Sequence, residues 1–263
     1  MNILQAKTPT LSYKPSQPQA TKQAKFIAQF AHSSSAIELA QKLRAHTFGQ
    51  EYGVHFDHAQ GLDVDSYDSY CLHLNVYDTT RGCLVATTRL LTAENARLTQ
   101  GFYSDQEFDL SPLLPHLTGR VLEIGRTCVH PDYRSGAAIT VLWTALAEYL
   151  VAENFAYLIG CASIALDETV SFQQIMQHFE ENDFIDKSLR VVPKKAVPVN
   201  LFDKITNDEK VQLPPLLKAY LRMNAKLGGE AYFDELFSCA DIFVVLDVAT
   251  LAGRYVQRFL KTA

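Results

Sequence analysis

Glu123 and Arg126 stand three positions apart in a run that is otherwise almost wholly apolar, with Val121, Leu122, Ile124, Cys128 and Val129 around them. A carboxylate there can take a proton from a nucleophile. A guanidinium beside it can hold that carboxylate ionised or grip a substrate carboxylate through two parallel bonds. So apolar a run belongs inside a sheet covered on both faces. Strict alternation would send the two charges to opposite faces, but Gly125 between them predicts a bulge. Its extra residue would turn Glu123 and Arg126 to one side and leave an unpaired N–H for an oxyanion. Pro131 ends the strand, and Arg134, Ser135, Gly136, Ala137 and Ala138 lead into a helix that runs to about Glu153. Bare N–H groups at a helix start, with an arginine nearby, suit a phosphate. The competing reading makes Glu123 and Arg126 a buried ion pair and Gly136 a plain helix start.

The flanking segments must position these groups. Residues 1–23 have no period and read as a flexible arm. A strand is expected over 25–31. Ser35-Ala-Ile-Glu38 reads as a capping box opening a helix over 36–51, which sets Arg44 and Phe48 one turn apart. Residues 49–69 form a loop rich in aspartate (Asp57, Asp63, Asp65, Asp68), suited to a cationic acceptor or merely soluble. His58 and Asp63 have His-x4-Asp spacing, a weak signal with nothing following it. Strands over 70–77 and 83–91 flank a hairpin turn at 78–82, and Arg89 at the far end comes beside the central strand. The long connection 92–120 reads as a lid, with Phe102, Tyr103, Phe108, Leu110, Leu113 and Leu114 lining an acyl tunnel or forming satellite core. A strand over 156–164 follows, where Gly160 and Ala162 leave room for a thioester or simply pack. Further helices are expected over 167–182, 213–227 and 251–260, and a last strand over 242–246. Lys187, Arg190, Lys194 and Lys195 form a local basic cluster in an acidic chain, a docking candidate for an acidic partner or a solvated loop.

A net charge of −5 argues against nucleic acid as a partner. The cysteines, five and widely spaced without a CxxC, suit small core residues in a reducing compartment, and no metal site is expected. With no apolar run of about 20 residues and no signal-peptide core, the expectation is a cytoplasmic protein.

Glu123-Ile-Gly-Arg126 resembles the Glu-x-x-Arg of acyl-homoserine-lactone synthases. Leu43-Arg44 with Phe48, Asp65-Ser-Tyr67-Asp68 and Arg89-Leu90 are similar to that group's other motifs, in the same order. Phe102-Tyr103-Ser104 with Glu107-Phe108-Asp109, Cys128-Val-His-Pro-Asp-Tyr-Arg134 and Pro214-Pro215-Leu-Leu-Lys-Ala-Tyr220 resemble a sister group, the ornithine N-acyltransferases of ornithine-lipid synthesis, often labelled hemolysin-like. The resemblance covers roughly 25–260 and implies an α/β (α+β) GNAT fold: a central mixed sheet flanked by helices over 24–185, with a C-terminal extension over 186–263. In such folds the fourth and fifth strands splay apart to admit the thioester. The resemblance further implies transfer of a (3-hydroxy)acyl chain from acyl carrier protein to the α-amine of an amino acid, L-ornithine first, giving a lyso-ornithine lipid. Glu123 and Arg126 would be catalytic. Arg134, Ser135, Gly136, Ala137 and Ala138 would hold the donor phosphate, Arg44, Phe48, Asp65, Asp68 and Arg89 the acceptor, and the lysine-arginine cluster the carrier protein. No tightly bound cofactor is implied, only a phosphopantetheine thioester, on carrier protein or coenzyme A, as co-substrate, with peripheral contact at the inner membrane face. The alternatives are a homoserine-lactone or other N-acyl amino acid synthase, and a non-catalytic sensor of acyl carrier protein or lipid. Trp143 is the only tryptophan, which disfavours the lactone.

Overall fold

The computed structural model describes residues 25–166, 172–198 and 211–251. The expected arm and nearly all of the expected helix over 251–260 lie outside them. In chain order the elements are β1 (Phe26–Phe30), α1 (Ser34–Tyr52), β2 (Leu72–Asp78), β3 (Cys83–Thr92), α2 (Ala93–Ala96), β4 (Phe108–Asp109), β5 (Arg120–Val129), α3 (Ala137–Ala152), β6 (Phe155–Ala165), α4 (Phe172–Glu181), β7 (Val192–Pro193), α5 (Pro215–Arg222), β8 (Lys226–Leu227), β9 (Tyr232–Asp234) and β10 (Cys239–Asp247). One mixed sheet carries the order β1-β2-β3-β5-β6-β10-β8, with β9 also on β10. Among the described strands, only β5 and β6 pair in parallel. β10 lies antiparallel to β6 along its whole length, from Cys239 opposite Ala165 to Asp247 opposite Tyr157, so the chain beyond residue 185 completes the same sheet.

Two apolar layers sandwich it. On one face Ala138, Leu142 and Leu146 of α3, Ile175 and Phe179 of α4, and Leu217 and Tyr220 of α5 cover Leu74, Leu90, Leu122 and Leu158. On the other, Phe102, Phe108, Leu110 and Leu113 from the long connection cover Val121, Ile159, Phe243 and Val245. α1 packs beside that layer, against β3 and β5.

Local chemistry sets the ends. α1 starts two residues before expectation because Ser33, not Ser35, is the cap: its hydroxyl accepts from Ala36 N–H at 3.2 Å. Gly53 at φ 69° closes it, donating to Gly49 O. In the β2–β3 turn Asp78 Oδ1 accepts from Thr80 and Arg81 N–H, and Gly82 takes φ 65°. α5 is shorter than the expected 213–227 helix; it stops at Arg222 because Lys226 and Leu227 pair with β10 instead.

The central pair of strands departs from regularity twice. Across β3–β5, Thr87 faces Cys128 and Arg89 faces Gly125, so Arg126 and Thr127 together oppose Thr88. Arg126 takes φ 50°. The bulge is therefore real but falls on Arg126 and Thr127 and not on Gly125. Across β5–β6 the parallel register ends at Ile124 opposite Gly160, while both strands continue beyond it. A Cβ on Gly160 would lie 2.3 Å from Ile124 O. The expected space at Gly160 is thus already filled by the neighbouring backbone. Glycine there lets the strands close up just before they part.

Candidate active site

Where β5 and β6 separate, a cavity of about 560 Å³ opens. Gly125 to Val129 line one side and Cys161, Ala162 and Ser163 the other, so it crosses the sheet layer. Towards α3 and α5 its wall is Ile139, Thr140, Trp143, Leu216, Ala219, Tyr220 and Met223. Towards α1 it is polar and aromatic: Phe48, Tyr52, Arg89, Tyr103, Glu107, Glu123, Arg126, Asp234 and Asp241.

Glu123 is 3% exposed. The chain at 103–104 wraps over its carboxylate: Tyr103 N–H donates at 2.6 Å, Ser104 N–H at 2.8 Å, and the Ser104 hydroxyl donates as well. Burial raises its pKa and these three donors pull it back, with the raised value prevailing. Arg126 does not pair with Glu123. Its Nε lies 3.4 Å from Asp63 Oδ2 without a hydrogen bond, and its guanidinium sits over the Tyr103 and Phe237 rings, 5.0 and 5.4 Å from their centroids.

Asp63, Asp65 and Asp68 of the loop and the turn after it are committed to arginines, while Asp57 is exposed and takes no part. Arg44, 1% exposed on α1, donates through Nε to Asp63 at 2.8 Å and through Nη1 to Asp68 at 3.0 Å. Arg89 Nη1 reaches Asp65 at 2.6 Å and Asp68 at 3.2 Å. Burial opposes the charge on Asp68, but Arg44 and Arg89 outweigh it and hold its carboxyl below the usual range. Of the five residues expected at the acceptor, Phe48 and Arg89 line the cavity. Arg44, Asp65 and Asp68 form the buried network behind it. The His58 and Asp63 spacing makes no dyad: His58 Nδ1 accepts from Gln60 N–H, and Asp63 serves Arg44.

Gly136 lines the cavity and caps α3 at φ 99° with no side-chain cap, leaving the first N–H groups of the helix without intrahelical acceptors. Arg134 stands at the same mouth, bonded to Glu51 at 2.6 Å. Ala138 is buried under the helix and Ser135 exposed. Of the aromatic and leucine side chains read as either a tunnel lining or satellite core, only Tyr103 lines the cavity. Phe102, Phe108, Leu110 and Leu113 are closed core, and the apolar wall comes from α3 and α5 instead. None of Lys187, Arg190, Lys194 and Lys195 lines it: Arg190 faces Glu230, Lys194 bonds to Asp105 O, and Lys195 pairs with Glu235.

A second set of carboxylates occupies the cavity: Glu107, quoted above within a motif but with no role given to it, and Asp234 and Asp241, which no motif marks. Asp241 on β10 accepts from the Ser163 hydroxyl at 2.6 Å. Glu107 lies near Cys161, 6% exposed, and its Oε2 has no hydrogen-bond partner. Burial, reinforced by the Asp241 charge, raises Glu107 well above the ordinary range; burial and the Asp234 charge push Asp241 up to about 6. Asp234, Cys239 and Asp241 bring ligand-type atoms within 4.8 Å of one another, but Asp234 already caps the Leu236 and Phe237 N–H groups and the Cys239 thiol is turned to Asp241. A charge inside an apolar strand was the signal that marked Glu123. The same signal was present in Cys239-Ala-Asp241-Ile-Phe, but a strand drawn from 242 excludes it.

Residues 43–144 match the acetyltransferase (GNAT) domain family. The L-ornithine N(α)-acyltransferase of Brucella abortus is 33% identical over 245 residues, covering 88% of this chain and 87% of that one. That of Rhodobacter capsulatus is 33% identical over 245 residues, covering 89% and 94%. Among solved structures, FeeM, an N-acyl amino acid synthase from uncultured soil microbes, matches with a TM-score of 0.52 at 10% identity over 86% of this chain and 93% of that one, a likeness of fold. With the parted strands and the motifs around them, these relatives show that the chain is an acyltransferase on the GNAT fold and belongs to the L-ornithine N(α)-acyltransferase family.

Proposed function

We propose that the enzyme moves a (3-hydroxy)acyl chain from the phosphopantetheine thioester of acyl carrier protein to the α-amine of L-ornithine, giving a lyso-ornithine lipid. The observation that carries this reading is the cavity through the sheet, apolar towards α3 and α5 and polar towards α1. It suits two substrates that enter from opposite faces and meet at the gap. The donor phosphate would take the free N–H groups of α3 behind Gly136. Its chain would lie along Ile139, Trp143, Ala219 and Met223. The thioester carbonyl would then rest against β5 beyond Ile124, where that edge has no β6 partner to satisfy its backbone donors.

An α-amine is mostly protonated at neutral pH and must lose a proton before it attacks. Glu123 is the proposed acceptor of that proton, directly or through a water. Its raised pKa brings it closer to the working pH, and its three donors fix its position. The amine then adds to the thioester carbon and the carbonyl oxygen takes the negative charge; on collapse the C–S bond breaks, the nitrogen gives up its remaining extra proton, and the thiolate takes one up and leaves as the free pantetheine thiol. Arg126, whose Nε lacks an acceptor, would hold the acceptor carboxylate. The acceptor follows the relatives' names. No described helix is long and apolar enough to span a bilayer.

The test is mass spectrometry of lipid extracts from cells overexpressing the protein or its Glu123→Gln variant, supported by thiol release from acyl carrier protein in vitro. A new N-acyl-ornithine that the variant loses, with a rate reduced at least a hundredfold, is the expected result. A different amino-acid head group would move the acceptor assignment. Tight carrier-protein binding without any acyl product would refute the enzyme reading in favour of a sensor.

A further inference from the structure

Side chains alternate along β6 and β10, so Cys161 and Ser163 project from the same face of the sheet as Asp241, which lies opposite Ser163. Glu107 comes down onto that face from the turn before β4, and Asp234 borders it from β9. Neither basic side chain of the polar cavity wall pairs with these acids. Arg89 is bonded to Asp65 and Asp68, and Arg126 faces Asp63 and Asp65. Among the described residues, none of Glu107, Asp234 and Asp241 has a basic partner within ion-pair distance. Buried carboxylates without a cation are costly, and the Glu107 Oε2 has not even a hydrogen-bond donor. A site of this kind is completed by a cation that arrives with the ligand.

We propose that Glu107 and Asp241 are the specificity-determining residues of the acceptor site, binding the side-chain ammonium that separates ornithine from a neutral amino acid. This rests on the reading of the cavity as an amino-acid acylation site. An ammonium has three donors and no acceptor, which matches two acids on one cavity wall, near enough for the Asp241 charge to be felt at Glu107, where Glu107 Oε2 has no donor and Asp241 carries the Ser163 hydroxyl on one oxygen. Arg126, with an unpartnered Nε on the same wall, supplies the complementary group for the α-carboxylate. An amino acid held at both ends in this way presents its α-amine to the β5–β6 gap between them. A neutral side chain would leave the two carboxylates buried and unpaired, and such sites reject the analogue that lacks the matching group far more strongly than a purely apolar pocket can.

The experiment compares kcat/KM for L-ornithine and L-norvaline, which has the same carbon chain without the terminal amine, using a fixed acyl thioester donor, in the wild type and in Glu107→Gln and Asp241→Asn. The wild type is expected to favour ornithine by at least about a hundredfold. Each variant should cut that ratio tenfold or more by lowering the ornithine value, with norvaline changed less than threefold. Equal losses for both acceptors would overturn the proposal, because they mark a proton-transfer or purely structural role. A wild type that does not distinguish the two acceptors overturns it without any variant, and this comparison stands if a variant misfolds. A wild type that acylates no amino acid sinks the functional reading itself, an outcome distinct from lost selectivity.

Discussion

Asp241→Asn offers a test of the cavity's electrostatics that is independent of turnover. Asp241 is surrounded by Ser163 on β6, Asp234 on β9, Cys239 on its own strand, Glu107 above it and Arg126 on β5. Burial, the largest cause, and the Asp234 charge raise its pKa to about 6, against the opposing pull of the Ser163 hydroxyl and Arg126. An unfolded aspartate titrates near 3.9, so the gap is about two units, or about 3 kcal/mol at about 1.4 kcal/mol per unit. The sign follows from proton counting: between the two values the folded state binds more protons than the unfolded state, so stability falls as pH rises from about 4 through about 6. At pH 8 the full cost is expressed; at pH 4 almost none is. The amide keeps the shape and a hydrogen bond to Ser163 while removing the charge. Urea unfolding followed by far-UV circular dichroism should show Asp241→Asn more stable than wild type by up to about 3 kcal/mol at pH 8, with the difference vanishing by pH 4. A variant less stable at every pH, or a difference that does not change with pH, would refute the picture of a buried carboxylate without a counter-ion.

The opposite sign is expected one layer away. Arg44→Ala leaves Asp63 and Asp68 buried without their principal partner and should cost about 3–5 kcal/mol at pH 7. Because Asp68 is held below its ordinary value in the fold, that deficit should shrink as pH falls towards 3, and a pH-independent deficit would show that packing and not charge is lost. Gly160→Ala forces a methyl towards Ile124 O, and should lower the stability read from urea midpoints by about 1–3 kcal/mol; a loss below 0.5 kcal/mol would mean the strands adjust freely. Ala219→Trp fills the apolar wall of α5 and should shift the preferred donor to a shorter acyl chain, read from a thioester series. An unchanged length preference would place the chain elsewhere.

The central strand, the helix behind Gly136, the β2–β3 hairpin and the apolar character of β6 were legible because each depends on neighbours in sequence: alternation, a cap, a turn residue, a proline stop. What was not legible depends on partners far along the chain. Asp63, Asp65 and Asp68 read as ligands for a cation, and the cations turned out to be Arg44, Arg89 and Arg126, supplied by three other elements. For Phe102 and Phe108 the sequence leaves a tunnel lining and a satellite core both open, because what covers them lies far along the chain; in the fold β4 pairs with β7 and closes them into core, the second of the two. Glu107 and Asp241 are 134 positions apart, and no spacing rule could pair them: Asp241 violates the pattern of its apolar neighbours, but Glu107 stands in a polar stretch beside Asp105, Gln106 and Asp109 and gives no such signal.

The two sets of carboxylates explain each other. The aspartates of the loop neutralise the arginines that brace β3 and β5 from the α1 side, so those arginines cannot also neutralise Glu107 and Asp241. If the chain needed only a stable wall there, apolar residues such as the adjacent Ile242 and Phe243 would serve at lower cost. Retaining two unpaired acids in the interior, beside strands that part where a thioester would lie, lowers the stability of the empty protein and raises the binding energy available to a doubly charged acceptor. The pH dependence of stability and the ornithine preference therefore have one origin. Ornithine at saturating concentration should flatten the wild-type stability profile between pH 4 and 8, and a profile that stays steep with ornithine bound would separate the two.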